Sequence, residues 1–176
     1  FTYKHLNKEG IGAVGATGSW STWSYSRPYW EPSFKSSIQF FIRLLFEIKK
    51  YLVNGRKYPC FPNPHLRSNA FMIENSIFQD YCKTKLIPLD KADSHLLESG
   101  FKSLSNYLKN KNLKILVCGK NSESYSTSSW PISNTFRSVN QENLIIADRQ
   151  CRIYFNSSDF SKRVLYFKSW GDRKTK

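Results

Sequence analysis

Residues 86–120 constrain the fold of this chain most. The segment reads Leu-Ile-Pro-Leu-Asp, then a polar and apolar alternation, then Lys114-Ile-Leu-Val-Cys-Gly-Lys120. Two short apolar runs around one stretch of helical period form the pattern of a β-α-β unit. Asp90 is placed to cap the helix, and Asp93 follows near the positive end of its dipole. Leu97, Phe101, Leu104 and Leu108 recur at spacings of four, three and four, so they share one face. Lys109 and Lys111 close the helix, where cations are favoured. Residues 113–117 are apolar except for Lys114, which suits a strand covered on both faces. Gly119 turns the chain at that strand's carboxyl end, where open α/β sheets hold their ligands.

The rest of the chain is read around this unit. Residues 33–54 predict an amphipathic helix, with Phe34, Ile38, Phe41, Leu45, Ile48 and Leu52 on one face. Ser33 is its cap, Asn54-Gly55 its stop, and packing on a sheet its expected role. Residues 85–89 are the expected first core strand. Residues 144–148, Leu-Ile-Ile-Ala-Asp, read as a buried strand whose terminal Asp148 caps the next turn. Residues 164–167 read as the last strand, and 171–176 as a basic tail.

Residues 1–32 are unlike the rest. Gly10-Ile-Gly12-Ala-Val-Gly15 matches a dinucleotide-binding pattern, but that pattern needs a strand before it and a helix after it. Neither flank has that form, so the segment is read as an irregular aromatic, Gly- and Ser-rich extension. Trp20, Trp23, Tyr29 and Trp30 are its expected anchors to RNA or a neighbouring protein. The expected organisation is thus an extension at 1–32, a core domain at 33–170 and the tail.

Charge narrows the partner. Lys and Arg total 27 against 13 acids, a net +14, which points to a polyanion. Aromatics make up 16% of the chain, and aromatics interleaved with cations suit stacking on bases. Cys60, Cys82, Cys118 and Cys151 form no C-x-x-C pair, so a zinc site has little support and isolated buried thiols are expected. No apolar run reaches the length of a membrane span. The chain begins at Phe1 and its single methionine is Met72, which is read as a removed targeting peptide or a start upstream.

Several motifs taken together resemble a known family. Residues 86–91, the helix after them and Lys114-Ile-Leu-Val-Cys-Gly-Lys120 resemble, in order and spacing, the universal small-subunit ribosomal protein 2 family in its bacterial and organellar form. Asn63-Pro64 with Arg67 and Phe71 is similar to a family loop that lies against ribosomal RNA, although the family's preceding His-Phe-Gly-His is replaced here. Trp130 to Val139 is similar to the family's tryptophan segment without its double glycine, and 144–148 to its strand ending in aspartate. The resemblance spans roughly residues 55–170, about two thirds of the chain. The family's long helical hairpin has only residues 140–143 in its place.

The resemblance implies a Rossmann-like or flavodoxin-like parallel sheet flanked by helices, with no long hairpin. It also implies a non-enzymatic structural role, binding small-subunit rRNA and neighbouring ribosomal proteins, with no cofactor, metal or membrane. Lost hairpin, aromatic extension and missing initiator resemble a mitochondrial member, in the matrix; a plastid origin is second. Arg67, Lys120, Arg137, Arg173, Lys174 and Lys176 are the candidate rRNA contacts. Two rivals are kept. One is a nucleotide- or sugar-phosphate-binding enzyme using residues 117–122, although His5, His65 and His95 are scattered and form no acid–base pair. The other is a free-standing RNA-binding assembly factor.

Overall fold

A computed structural model of the chain describes residues 3–6, 8–24, 37–83, 88 and 90–171. The elements run α1 (Tyr3–Leu6), β1 (Ile11–Gly15), β2 (Gly18–Ser19), α2 (Ser37–Asn54), β3 (His65–Leu66), β4 (Phe71–Ile73) and α3 (Asn75–Lys83). They continue as α4 (Lys91–Ser99), α5 (Leu104–Asn110), β5 (Lys114–Cys118), β6 (Ser124–Tyr125), a 3-10 segment (Thr127–Ile132), α6 (Arg149–Phe155) and α7 (Asp159–Trp170).

The molecule is mixed α/β. Its main sheet has the order β4-β1-β5-β6 and is flanked by helices. Strands β1 and β5 are parallel, with Val14 opposite Leu116. β4 runs antiparallel to β1 and β6 antiparallel to β5, so the expected all-parallel sheet is corrected to a mixed one. A short turn after β5 allows only antiparallel pairing with β6, because a parallel return needs a long crossover. β2 and β3 form a separate two-stranded ladder.

The largest departure concerns residues 1–32. Ile11–Gly15, expected in an irregular extension, is a central strand, and Ala13 and Val14 are fully buried. Glycine suits this strand for steric reasons. A Cβ at Gly12 would lie 2.8 Å from the Leu113 Cβ and 2.9 Å from a Leu108 methyl. Gly12 and Gly15 therefore serve packing, and the chain passes on to β2 rather than into a phosphate-binding helix. Most of the expected first core strand, 85–89, lies outside the described residues, and β1 is the parallel neighbour of β5.

The helix expected after Asp90 forms as two. Asp90 does cap α4, accepting from the Asp93 amide at 2.8 Å. The Gly100 amide then closes α4 on the Leu96 carbonyl, and Ser103 caps α5 through the Asn106 amide. Leu108 is fully buried while Phe101, in the break, is exposed.

Two expected strands are absent. Residues 144–148 run without regular structure, and Ile145 and Ile146 are exposed. Turns hold the chain there: Gln141 donates to the Ser138 carbonyl and Leu144 to that of Gln141, with Arg137, Val139 and Gln141 all at positive φ. Residues 164–167 lie inside α7, which Ser158 caps and Gly171, at φ 80°, ends. These local caps outweigh the short apolar run.

α2 forms as expected, with residues 33–36 outside the described set. Among the described side chains its expected packing on the sheet is not observed: Phe41, Leu45, Phe46, Ile48 and Leu52 are exposed, Leu52 by 73%. The core lies elsewhere. Trp130, Leu108, Val14 and Val117 are fully buried. Trp170 takes Trp20 edge-on at 5.8 Å and Phe136 at 6.3 Å. Truncating one such buried tryptophan typically costs about 3–5 kcal/mol.

Candidate nucleic-acid interface

Arg67 and Arg137 do not face solvent as expected of rRNA contacts. Arg67 leaves β3 and places Nη2 2.7 Å from Asp148 Oδ2, with Nε 3.9 Å from Glu98 Oε1. Its guanidinium lies 4.1 Å from the Phe136 ring centroid, and its side chain is only 12% exposed. Arg137 packs on the same ring at 5.0 Å. It donates from Nη1 to Ser169 Oγ at 3.2 Å and from Nη2 to Gln150 Oε1 at 2.6 Å. Burial, then repulsion by Arg67, lowers the Arg137 pKa to about 10. Arg67 Nη1 and Arg137 Nε are buried without a hydrogen-bond partner. These arginines fasten β3, the 134–148 loop, α6 and α7 together.

Asp148 is the counter-charge. Its Oδ1 caps α6 by accepting from the Cys151 amide at 2.9 Å, as expected for a cap. Burial alone would raise its pKa; the Cys151 amide and Arg67 outweigh it and lower it. The Asn63 side chain is likewise turned inward, donating to the Ser99 carbonyl at 2.7 Å.

Lys120 is exposed at the carboxyl end of β5. It borders a recess of about 420 Å³ lined also by Asn121, Tyr125, Ser133, Asn134, Glu142 and Asn143. Asn143 organises the floor. Its Oδ1 accepts from the Asn121 amide at 2.9 Å, and its Nδ2 donates to the Ser133 carbonyl at 2.9 Å. Gly119 leaves room for this side chain: a Cβ there would fall 2.1 Å from Asn143 Nδ2 and displace it. Arg173, Lys174 and Lys176 lie outside the described residues.

Of the expected aromatic anchors, Trp20 points into the molecule. It packs on Trp170 and donates to the Thr127 carbonyl at 3.0 Å, so it anchors this chain rather than a partner. Trp23 is 49% exposed and stacks on His95 with ring centroids 4.7 Å apart. Thr22 bonds the Pro59 carbonyl, and the Phe101 amide bonds that of Lys57 at 3.1 Å. Lys57 and Phe101 are both exposed. Tyr29 and Trp30 lie outside the described residues. No local sequence pattern links His95 to Trp23; the two lie 72 residues apart in the chain.

The remaining polar chemistry is dispersed. His5 bonds the Ser122 carbonyl at 2.8 Å through Nε2. His65 is buried in β3, where its Nδ1–H donates to the Asn63 carbonyl at 2.8 Å. Burial, opposed by that bond, lowers the His65 pKa. The four cysteines are free; Cys118 and Cys151 are buried as expected, while Cys60 and Cys82 are exposed. Among the described residues, no group of three His, Cys, Asp or Glu side chains is arranged to hold a metal. No helix among them is long and apolar enough to cross a membrane.

No family model, curated protein or solved structure matches this chain.

Proposed function

We propose that this chain is a structural, non-enzymatic constituent of a small ribosomal subunit, binding rRNA and neighbouring ribosomal proteins. The proposed compartment is the mitochondrial matrix, with a plastid as the alternative. The observation that carries this reading is a pairing of surfaces. A chain of net charge +14 also leaves the apolar side of an 18-residue helix open. Cations suit a phosphate backbone, since binding releases counterions. A contiguous exposed apolar surface suits a protein partner. A ribonucleoprotein particle offers both together.

The exposed Trp23, packed against His95, supports contact with unpaired bases. The parallel β1–β5 pair and the glycine after β5 are compatible with the proposed Rossmann-like ancestry, which the ordered motifs of the ribosomal protein 2 family suggest. The test is a filter-binding titration of the full chain with small-subunit rRNA across a salt series. Affinity that falls steeply and linearly with log salt is expected; weak binding indifferent to salt would rule the reading out.

The recess beside Lys120 favours one rival. It lies at the carboxyl end of the parallel strands, where a sugar phosphate or nucleotide could sit between Lys120, Ser133 and Asn143. Calorimetry with a nucleoside diphosphate and a hexose phosphate separates the two. Micromolar binding of either favours the rival, and its absence with strong rRNA binding favours the ribosomal reading. A free-standing assembly factor would bind rRNA yet be missing from mature subunits.

A further inference from the structure

We infer that α2 is a docking helix for a second protein, seated in an apolar groove that presents a carboxylate to Lys49. The inference deepens the proposed reading by naming the surface and the chemistry of one protein neighbour. At about 100° per residue, the exposed side chains run from Tyr51 through Ile48, Leu52 and Leu45 to Val53 and Phe46, an arc of about 220°. An arc that wide exceeds what a flat surface covers, and it matches a helix laid in a groove with two walls. Leu52, at the centre of the arc, is 73% exposed, and the edges at Tyr51 and Phe46 are open as well.

Lys49 decides the occupant. It lies inside the arc, between Leu45 and Val53, and is exposed. Among the described residues it has no ion-pair partner. Covering the arc removes this ammonium from water, which is costly without an opposite charge. A lipid surface fits less well, because an interfacial helix buries one face and keeps its cations on the polar side, whereas this arc of about 220° surrounds Lys49. A second copy would set like charges together, each chain carrying +14. A protein groove with an aspartate or glutamate opposite Lys49 satisfies both the apolar arc and the buried cation. Arg56 and Lys57, exposed just beyond the helix, extend the same preference for an acidic rim.

The test places the photo-crosslinker p-benzoylphenylalanine at Leu45, and separately at Leu52, of the full chain in intact cells or organelles of its source. Adducts are mapped by mass spectrometry. Both positions are expected to label one protein, on peptides that line an apolar groove containing an acidic residue. Lys49→Glu should cut adduct yield roughly tenfold or more, and replacing the facing carboxylate with lysine should restore it. The helical circular dichroism of K49E should equal that of the parent, because the site is exposed. Adducts to RNA, lipid or a second copy, unchanged yield in K49E, or no adduct would overturn the inference. Sedimentation of the adduct separates the two claims. A groove adduct off the ribosome upholds the groove and contradicts the ribosomal reading; a subunit-bound chain with adducts only to RNA does the reverse.

Discussion

Arg67 Nη2 sits 2.7 Å from Asp148 Oδ2, joining the exit of β3 to the cap of α6 across the Phe136 ring. Arg67, an expected RNA contact, is thus engaged inside the molecule, as Arg137 is through Ser169 and Gln150. Asp148 neutralises Arg67 and caps a helix at once. Asp148→Asn keeps a capping oxygen and removes the charge. The expected cost is about 2–3 kcal/mol, below that of a fully buried pair because the carboxylate is partly solvated. Asp148→Ala should lose about 1 kcal/mol more through the cap. Urea unfolding measures both, and a D148N loss under about 0.5 kcal/mol, within the range of neutral surface changes, would contradict the pair's importance.

The same carboxylate sets an acid limit. Its folded pKa is lowered, so its contribution is complete above the unfolded value of about 3.9 and fades as pH falls through the folded one. His65 acts earlier. Its folded pKa is lowered by burial, so the unfolded chain takes up a proton first. Stability is therefore expected to fall as pH drops below about 6.5, the unfolded histidine value. Thermal melts from pH 8 to pH 5 should show this decline, and His65→Gln should flatten it. A parent chain with level stability over that interval would show that His65 charges freely when folded.

Lys120 should behave unlike the two arginines. Lys120→Ala is expected to reduce the slope of log affinity against log salt by about one while leaving stability unchanged. Arg67→Ala is expected to lower the unfolding midpoint and, while folded, to leave the slope alone. Filter binding and urea unfolding on the same samples distinguish them. An R67A variant with intact stability and a reduced slope would restore Arg67 as a phosphate contact.

Trp23 carries a matching expectation for bases. Trp23→Ala should weaken binding to unpaired rRNA by about 1–3 kcal/mol, the scale of one stacked base. Its exposure means the fold should be little affected. Fluorescence anisotropy with a single-stranded rRNA fragment checks the first point, and a thermal melt the second. Equal affinity for single-stranded RNA in W23A would leave the Trp23–His95 pair as a surface contact within the chain.

What was legible in the sequence depended on how far each signal reaches along the chain. β5, its terminal glycine and the Asp90 cap are local patterns, and each was read correctly. β1 offers no such pattern, because three of its five residues are glycine or alanine and leave few side chains to show a period. The runs at 144–148 and 164–167 have strand composition, but turns and a capped helix claim them. α2 was recognised as a helix, yet no local rule tells whether its apolar side meets the sheet or a partner. Arg67 and Arg137 looked like loop cations because Asp148, Phe136 and Ser169 reach them only after folding.

The most direct measurement is sedimentation of the tagged chain from lysed organelles of its source through a sucrose gradient in high salt. The chain is expected in the small-subunit fraction, released only when the rRNA is digested. A chain found at the top of the gradient as a free monomer, with bound nucleotide or sugar phosphate, would contradict it.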